Sequence, residues 1–198
     1  MKSQKRLQPE PLILASSSPR RRELLAEAGY TFEVVSPPLD EPDDALRARD
    51  PYSFTESLAF FKASSVARAY QSATILGADT MAWLNGRVVG KPVDRDDARR
   101  MLKAMSGTTH EVVTGVALVD ERCDRRIIAH DRTMVVVRQL SDVEIEDYLD
   151  TDQWRGKAGG YGIQDVGDDF VERIEGSFSN VVGMPLEKLT KVLRAWVT

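Results

Sequence analysis

Apolar and polar positions along the chain change period several times, and each change marks a predicted element. Pro11 to Ser16 is a short apolar run that ends in hydroxyls, as expected of a buried strand. Ser18-Pro19 then gives an N-cap followed by proline at the first helical position, so a helix is predicted to Ala28, closed by Gly29. Thr31 to Ser36 reads as a second strand. Pro37 to Asp50 has prolines and acids but no apolar period, and structureless segments of that length are usually functional in compact domains. A capping box of Ser53 with Glu56 predicts a helix to about Tyr70. Thr74 to Asp79 is a buried strand, and Met81 to Leu84, Asn85-Gly86 and Arg87 to Val89 form a hairpin on the strongest short turn signal. Asp94 caps a helix to Met105 that ends at Gly107. His110 to Val119 and Arg126 to Arg138 flank a polar turn as an antiparallel pair. A second capping box, Ser141 with Glu144, opens a short helix to about Leu149. The glycine-dense stretch Gly156 to Gly162 lets backbone pass close to something, Phe170 to Ile174 is a last strand, and Pro185 to Val197 a final helix. Strands and helices alternate early and hairpins dominate later, an order that favours an α/β domain with a mixed sheet.

Composition narrows the picture without deciding it. The 198 residues suffice for one compact domain, or one with a small lobe. We expect a polar tail over residues 1–9 and a single domain over 10–198, because no repeat or linker divides the chain. Thirty-one acids against 27 bases leave a net charge of -4, so no global cationic field points to nucleic acid or anionic lipid. No apolar run approaches the length of a membrane span, and a single cysteine, Cys123, gives no sign of an oxidising compartment. The expectation is a cytoplasmic protein that engages neither membrane nor nucleic acid.

Several polar residues stand where local physics disfavours them. Arg20, Arg21 and Arg22 occupy the first turn of a helix, whose dipole already presents positive charge there. An anion held by the Ser16-Ser17-Ser18 turn and the guanidinium groups would compensate them, and a solvated basic turn is the plainer alternative. Lys62, four residues from both Leu58 and Val66, sits on the apolar stripe of its helix. It needs an acidic partner, an anion or a snorkelling route to water. Lys91, between the hairpin and Pro92, is by itself compatible with a solvated loop. Asp79 ends an apolar run, where open α/β sheets commonly place their site residues. Glu41, with Asp40, Asp43 and Asp44, could help hold Mg²⁺ or be part of a solvated charge run. The chain has no P-loop and no G-x-S-x-G elbow, and His110 and His130 fall in strands as hydrogen-bonded or exposed residues rather than metal ligands.

Taken in order, the blocks Leu14-Ala15-Ser16-Ser17-Ser18-Pro19-Arg20-Arg21-Arg22-Glu23-Leu24-Leu25, Leu58-Ala59 with Lys62-Ala63, Gly77-Ala78-Asp79-Thr80, Gly90-Lys91-Pro92, Ser106-Gly107 with His110, Lys157 to Gln164 and Val181 to Leu186 resemble the signature of the Maf family of nucleoside triphosphate pyrophosphatases. The matching blocks run from about residue 12 to 189. The resemblance implies a Maf/inosine-triphosphatase-like α/β fold, an elongated mixed sheet with flanking helices forming two lobes around a nucleotide cleft. It implies hydrolysis of a nucleoside triphosphate to the monophosphate and pyrophosphate with a divalent cation, Mg²⁺ or Mn²⁺, and it allows a homodimer.

By position, Ser16, Arg20, Lys62 and Lys91 would contact the triphosphate, while Glu41 and Asp79 would serve the metal and the attacking water. Arg21, Thr80 and Gln164 resemble the branch of the family that acts on dTTP and UTP. A primary amide at Gln164 can pair with the N3–H and O4 edge shared by thymine and uracil. Asp79, Glu41 and Lys91 are therefore the expected catalytic set, and Ser16, Arg20, Arg21, Lys62, Thr80 and Gln164 the substrate-binding set. The rival expectation is a nucleotide-binding regulator of septum formation with little or no catalysis.

Overall fold

The computed structural model describes residues 7–38, 50–163 and 169–197. Among the described residues, seven strands form one mixed sheet in the order β2-β1-β3-β5-β6-β7, with β4 on the edge of β3. The strands are β1 (Leu12–Ala15), β2 (Glu33–Val35), β3 (Thr74–Leu84), β4 (Arg87–Val89), β5 (Thr109–Asp120), β6 (Arg125–Val137) and β7 (Val171–Glu175). The helices are α1 (Pro19–Glu27), α2 (Pro51–Ala67), α3 (Arg95–Met105), α4 (Asp142–Asp150), α5 (Phe178–Val182) and α6 (Leu186–Val197). β1 runs parallel to β2 and β3, and the other pairings are antiparallel.

Side-chain alternation along the central strands feeds two cores on opposite faces of the sheet. Leu12, Leu14, Leu76, Ala78, Val116 and Leu118 pack with α1 and α6, through Leu24, Leu25, Leu189 and Leu193. Ile13, Ala15, Ile75, Ala117 and Val119 pack with Ala59, Ala63 and Val66 of α2. A strand covered on both faces reads as a continuous apolar run, which is how β1 and the start of β3 appear in the sequence. A third core, with Leu102, Ile145, Tyr148, Leu149, Trp154 and Phe170, joins α3 and α4 into a second lobe. Charged pairs lace that lobe on its surface, with Arg95 and Arg99 both on Glu146.

Glycine sets the spacing between α2 and the sheet. A Cβ on Gly77 would lie 2.1 Å from the Ala59 carbonyl oxygen, and one on Gly115 would lie 2.4 Å from the Thr55 carbonyl group. Any side chain at either position would push the helix away.

Four local details differ from expectation. The cap of α2 is Asp50, whose carboxylate accepts from the N–H groups of Tyr52 and Ser53, with Pro51 at the first helical position. Glu56 is drawn instead to His130, at 2.7 Å, so the expected capping box does not form. α2 also ends at Ala67, short of Tyr70. The break expected after Asp79 is absent, because pairing with β5 from Ile75 to Trp83 carries β3 through Asp79 and Thr80 as one strand. α5 lies in a segment given no helix by the sequence reading, where five residues are too few for a period to show.

Candidate functional site

The site is built around a notch in the sheet. β1 pairs with β3 only as far as Gly77, and β4 pairs only from Ala82, so among the described residues β3 lacks a strand neighbour on that side from Ala78 to Met81. Asp79 and Thr80 sit in this gap and, as consecutive strand residues, project to opposite faces of the sheet. A cleft of about 810 Å³ opens over the notch, and a smaller cavity of about 190 Å³ adjoins it. Both are walled by Arg20, Arg21, Thr80 and Gly156 to Ala158.

The larger cleft collects the cations that stood out in the sequence. Arg20 comes from the first turn of α1, Lys62 from α2 and Lys91 from the loop after β4, and all three line it together with Asp79. The α1 turn is held by hydroxyls, since Ser18 caps the helix and Ser16 Oγ accepts from the Ser18 N–H at 3.2 Å. Arg22 lines neither cavity, and of the three arginines it alone fits the solvated reading.

Lys62 and Asp79 are each 7% exposed, and Lys62 Nζ lies 2.6 Å from Asp79 Oδ1. The lysine on an apolar stripe thus meets an acid rather than snorkelling. Ala63, its neighbour on α2, packs over Gly77, two residues before Asp79 on the same face of β3. The close helix approach is what brings the ammonium and the carboxylate into contact. Removing one member of such a buried pair costs on the order of 3–5 kcal/mol.

Arg21 is the organising side chain between the two cavities. Its Nε donates to the Gly183 carbonyl at 3.0 Å, its NH2 to Thr80 Oγ1 at 3.0 Å and its NH1 to Ser16 Oγ at 3.4 Å. A planar guanidinium suits such a set of fixed acceptors better than an ammonium.

The smaller cavity is lined on one side by Ala82, His110 and Val112, on the Thr80 face of the sheet, and on the other by Tyr161, Ile163 and residues 181–183. His110 Nε2 is 2.9 Å from the Tyr161 hydroxyl, and its Nδ1 has no partner among the described residues. Burial pulls the His110 pKa down to about 4 and pushes the Tyr161 hydroxyl up, so both are neutral near pH 7. A slot in which Ala82, Val112, Ile163 and Val182 share the lining about equally with polar groups suits a flat heterocycle with a hydrogen-bonding edge, and the cationic cleft suits a polyphosphate.

Sequence reasoning assigned no role to Arg155 and Lys157, which also line the cleft. Lys157 lies within a motif already noted, ahead of Gly159 and Gly160, whose positive φ values of 73° and 76° fold this segment back over the site. Glu41 and Gln164 lie outside the described residues.

Comparisons with known proteins bear on the family and the fold. Residues 11–196 match the Maf family, described as Maf-like protein. A dTTP/UTP pyrophosphatase of Pyrococcus furiosus is 44% identical over 182 residues, spanning 92% of this chain and 93% of that protein. A dTTP/UTP pyrophosphatase of Pelotomaculum thermopropionicum is 43% identical over 184 residues, spanning 92% and 95%. A solved structure of a HAM1 protein from Coxiella burnetii aligns with a TM-score of 0.51 at 14% identity, covering 93% of this chain and 98% of that one. At that identity the likeness concerns the fold, which is the mixed α/β architecture expected. The family match over nearly the whole chain, with relatives above 40% identity, establishes that this protein belongs to the Maf family.

Proposed function

We propose that the protein hydrolyses dTTP and UTP to the monophosphate and pyrophosphate. The observation that carries this reading is the meeting of Arg20, Lys62, Lys91 and Asp79, from four separate segments, on one cleft beside a smaller slot of mixed lining. The names of the relatives supply the reaction and the bases.

In this reading the triphosphate lies along the cleft, where Arg20, Lys91 and Lys157 neutralise charge on its oxygens. Electrostatic stabilisation of that kind is the larger part of catalysis in phosphoryl transfer. Lys62 fixes the Asp79 carboxylate through Oδ1. Asp79 orients water for attack on the α-phosphorus and takes its proton, and pyrophosphate leaves. Arg21 and Thr80 face the nucleoside.

The donor chemistry also fits a divalent cation. No cluster of three or more His, Cys, Asp or Glu suited to a metal occurs among the described residues. A hard ion such as Mg²⁺ is commonly held by one or two carboxylates plus substrate phosphates, and the second oxygen of Asp79 accepts no hydrogen bond among the described residues. Asp79, with Glu41 as the second carboxylate, would hold Mg²⁺ or Mn²⁺. When bound, the cation polarises phosphate oxygens and acidifies water.

The reading carries with it a cytoplasmic protein of one catalytic domain, acting on free nucleotides rather than nucleic acid, with a homodimer as the assembly to test. No helix among the described residues is long and apolar enough to cross a membrane.

The test is a nucleotide panel with Mg²⁺ and Mn²⁺, with products resolved by ion exchange. We expect pyrophosphate and monophosphate from dTTP and UTP, turnover falling by orders of magnitude in Asp79→Asn, and a large loss in Lys91→Ala. Tight nucleotide binding without pyrophosphate release would replace this reading by that of a regulator.

A further inference from the structure

Behind Arg21 runs a chain of hydrogen bonds whose direction can be deduced. Arg21 NH2 can only donate, so Thr80 Oγ1 accepts from it at 3.0 Å. Thr114 Oγ1, on β5, donates its one proton to the Asn180 carbonyl at 3.0 Å. The 3.0 Å contact between the two threonine hydroxyls must therefore be donated by Thr80. The competing acceptor for Thr80, the Gly183 carbonyl, lies farther away at 3.5 Å. The far end is fixed in turn, because the buried Asn180 side-chain amide donates to the Val112 carbonyl at 2.9 Å and to Thr133 Oγ1 at 3.0 Å. Thr114 and Asn180 are both fully buried, so no water competes for these bonds.

The consequence falls on Thr80, which lines both cavities. Its proton is spent on Thr114 and one lone pair is taken by Arg21. What it can offer a ligand is one remaining lone pair, so it acts as an acceptor only. Uracil and thymine carry one donor at N3, whereas cytosine has an acceptor there, and in this reading Thr80 rather than the Gln164 amide accepts that proton. We propose that Thr114 is a positioning residue that determines base selectivity: by accepting the Thr80 proton it keeps Thr80 an obligate acceptor, which favours an N3–H base over cytosine. This deepens the proposed function and rests on it for the placement of the base.

Two substitutions separate this role from packing. Thr114→Val keeps the shape but removes the acceptor, releasing a Thr80 proton that only the longer 3.5 Å contact to the Gly183 carbonyl then holds back from the ligand. Thr114→Ser keeps the hydroxyl but deletes a buried methyl group. The measurement is the ratio of dissociation constants for the α,β-imido analogues of UTP and CTP by calorimetry, which does not need turnover. We expect the preference for the UTP analogue to fall about tenfold in Thr114→Val, the worth of one hydrogen bond, and to stay at the wild-type ratio in Thr114→Ser.

A packing role predicts the opposite order, with the serine variant the more damaged. An unchanged ratio in Thr114→Val, an equal loss in Thr114→Ser, or a wild-type protein without preference overturns the proposal. Should the valine variant fail to fold, Thr80→Val, which deletes the acceptor itself, must show the same loss of preference. Hydrolysis of UTP by the wild type reports separately on the proposed function, so selective binding without turnover would sink that reading and leave the role of Thr114 standing.

Discussion

The most direct physical test concerns His110. Its imidazole is 2% exposed, and burial lowers its pKa from an ordinary 6.5 to about 4. In the unfolded chain the ring takes up a proton near pH 6.5, but in the folded protein it resists protonation until about pH 4. Between those values the unfolded state binds more protons, so stability rises with pH across the window and is lost on acidification. A gap of about 2.5 units at about 1.4 kcal/mol each gives roughly 3 kcal/mol, with about half of it gone by pH 5.5. His110→Gln removes the titration. Urea unfolding of both proteins from pH 7 to pH 4 should show the wild type losing about 3 kcal/mol more than the variant over that range. Glu144 and Glu146, whose arginine partners hold their carboxyl groups down to about 2, start to cost stability at the acid end of this range, near pH 4.5, but they do so equally in both proteins and cancel in the comparison. Parallel stability curves would mean that His110 is not dehydrated in the folded protein, and the argument from its burial would fall.

Two further outcomes follow from geometry. Gly115→Ala places a methyl group 2.4 Å from the Thr55 backbone, so thermal or urea denaturation should register a loss of about 3 kcal/mol or more, whereas Gly86→Ala, with open space around it, should lose only about 1 kcal/mol for its left-handed backbone. Arg21→Lys cannot reproduce contacts to Gly183, Ser16 and Thr80 together, so KM for UTP should rise at least about tenfold while the unfolding midpoint moves little. A wild-type KM in that variant would show that the fork is dispensable.

Local signals in the sequence predict local structure well. Ser18-Pro19, Asn85-Gly86 and the Ser141–Glu144 box each state their geometry within four residues, and all three appear as read. Asp50-Pro51 carries the same cap-and-proline signal as Ser18-Pro19, but it ends an acidic segment in which one more aspartate has no contrast. The fate of Glu56 depended on His130, 74 residues away, and no local pattern contains that. Arg20 and Lys62 were legible because each broke a local rule, an arginine at a positive helix end and a lysine on an apolar stripe, whereas Lys91 broke none and was marked only by the family resemblance. Lys157 and Arg155 broke none, since charged residues beside glycines look like any loop. The role of Thr114 was invisible for a different reason. A threonine in a strand is ordinary, and its importance lies in the direction of one proton.

The gap in strand pairing beside Ala78 to Met81 has a consequence for how this site tolerates change. Among the described residues, main-chain N–H and C=O groups that point away from β5 there are satisfied by no neighbouring strand, and no side-chain replacement other than proline can delete them. Whatever the cleft holds can dock on peptide groups as an added strand would. An alanine scan of the walls should therefore leave a residual affinity that changes to the backbone itself near residues 78–81, such as an insertion or deletion that shifts the register against β5, would abolish.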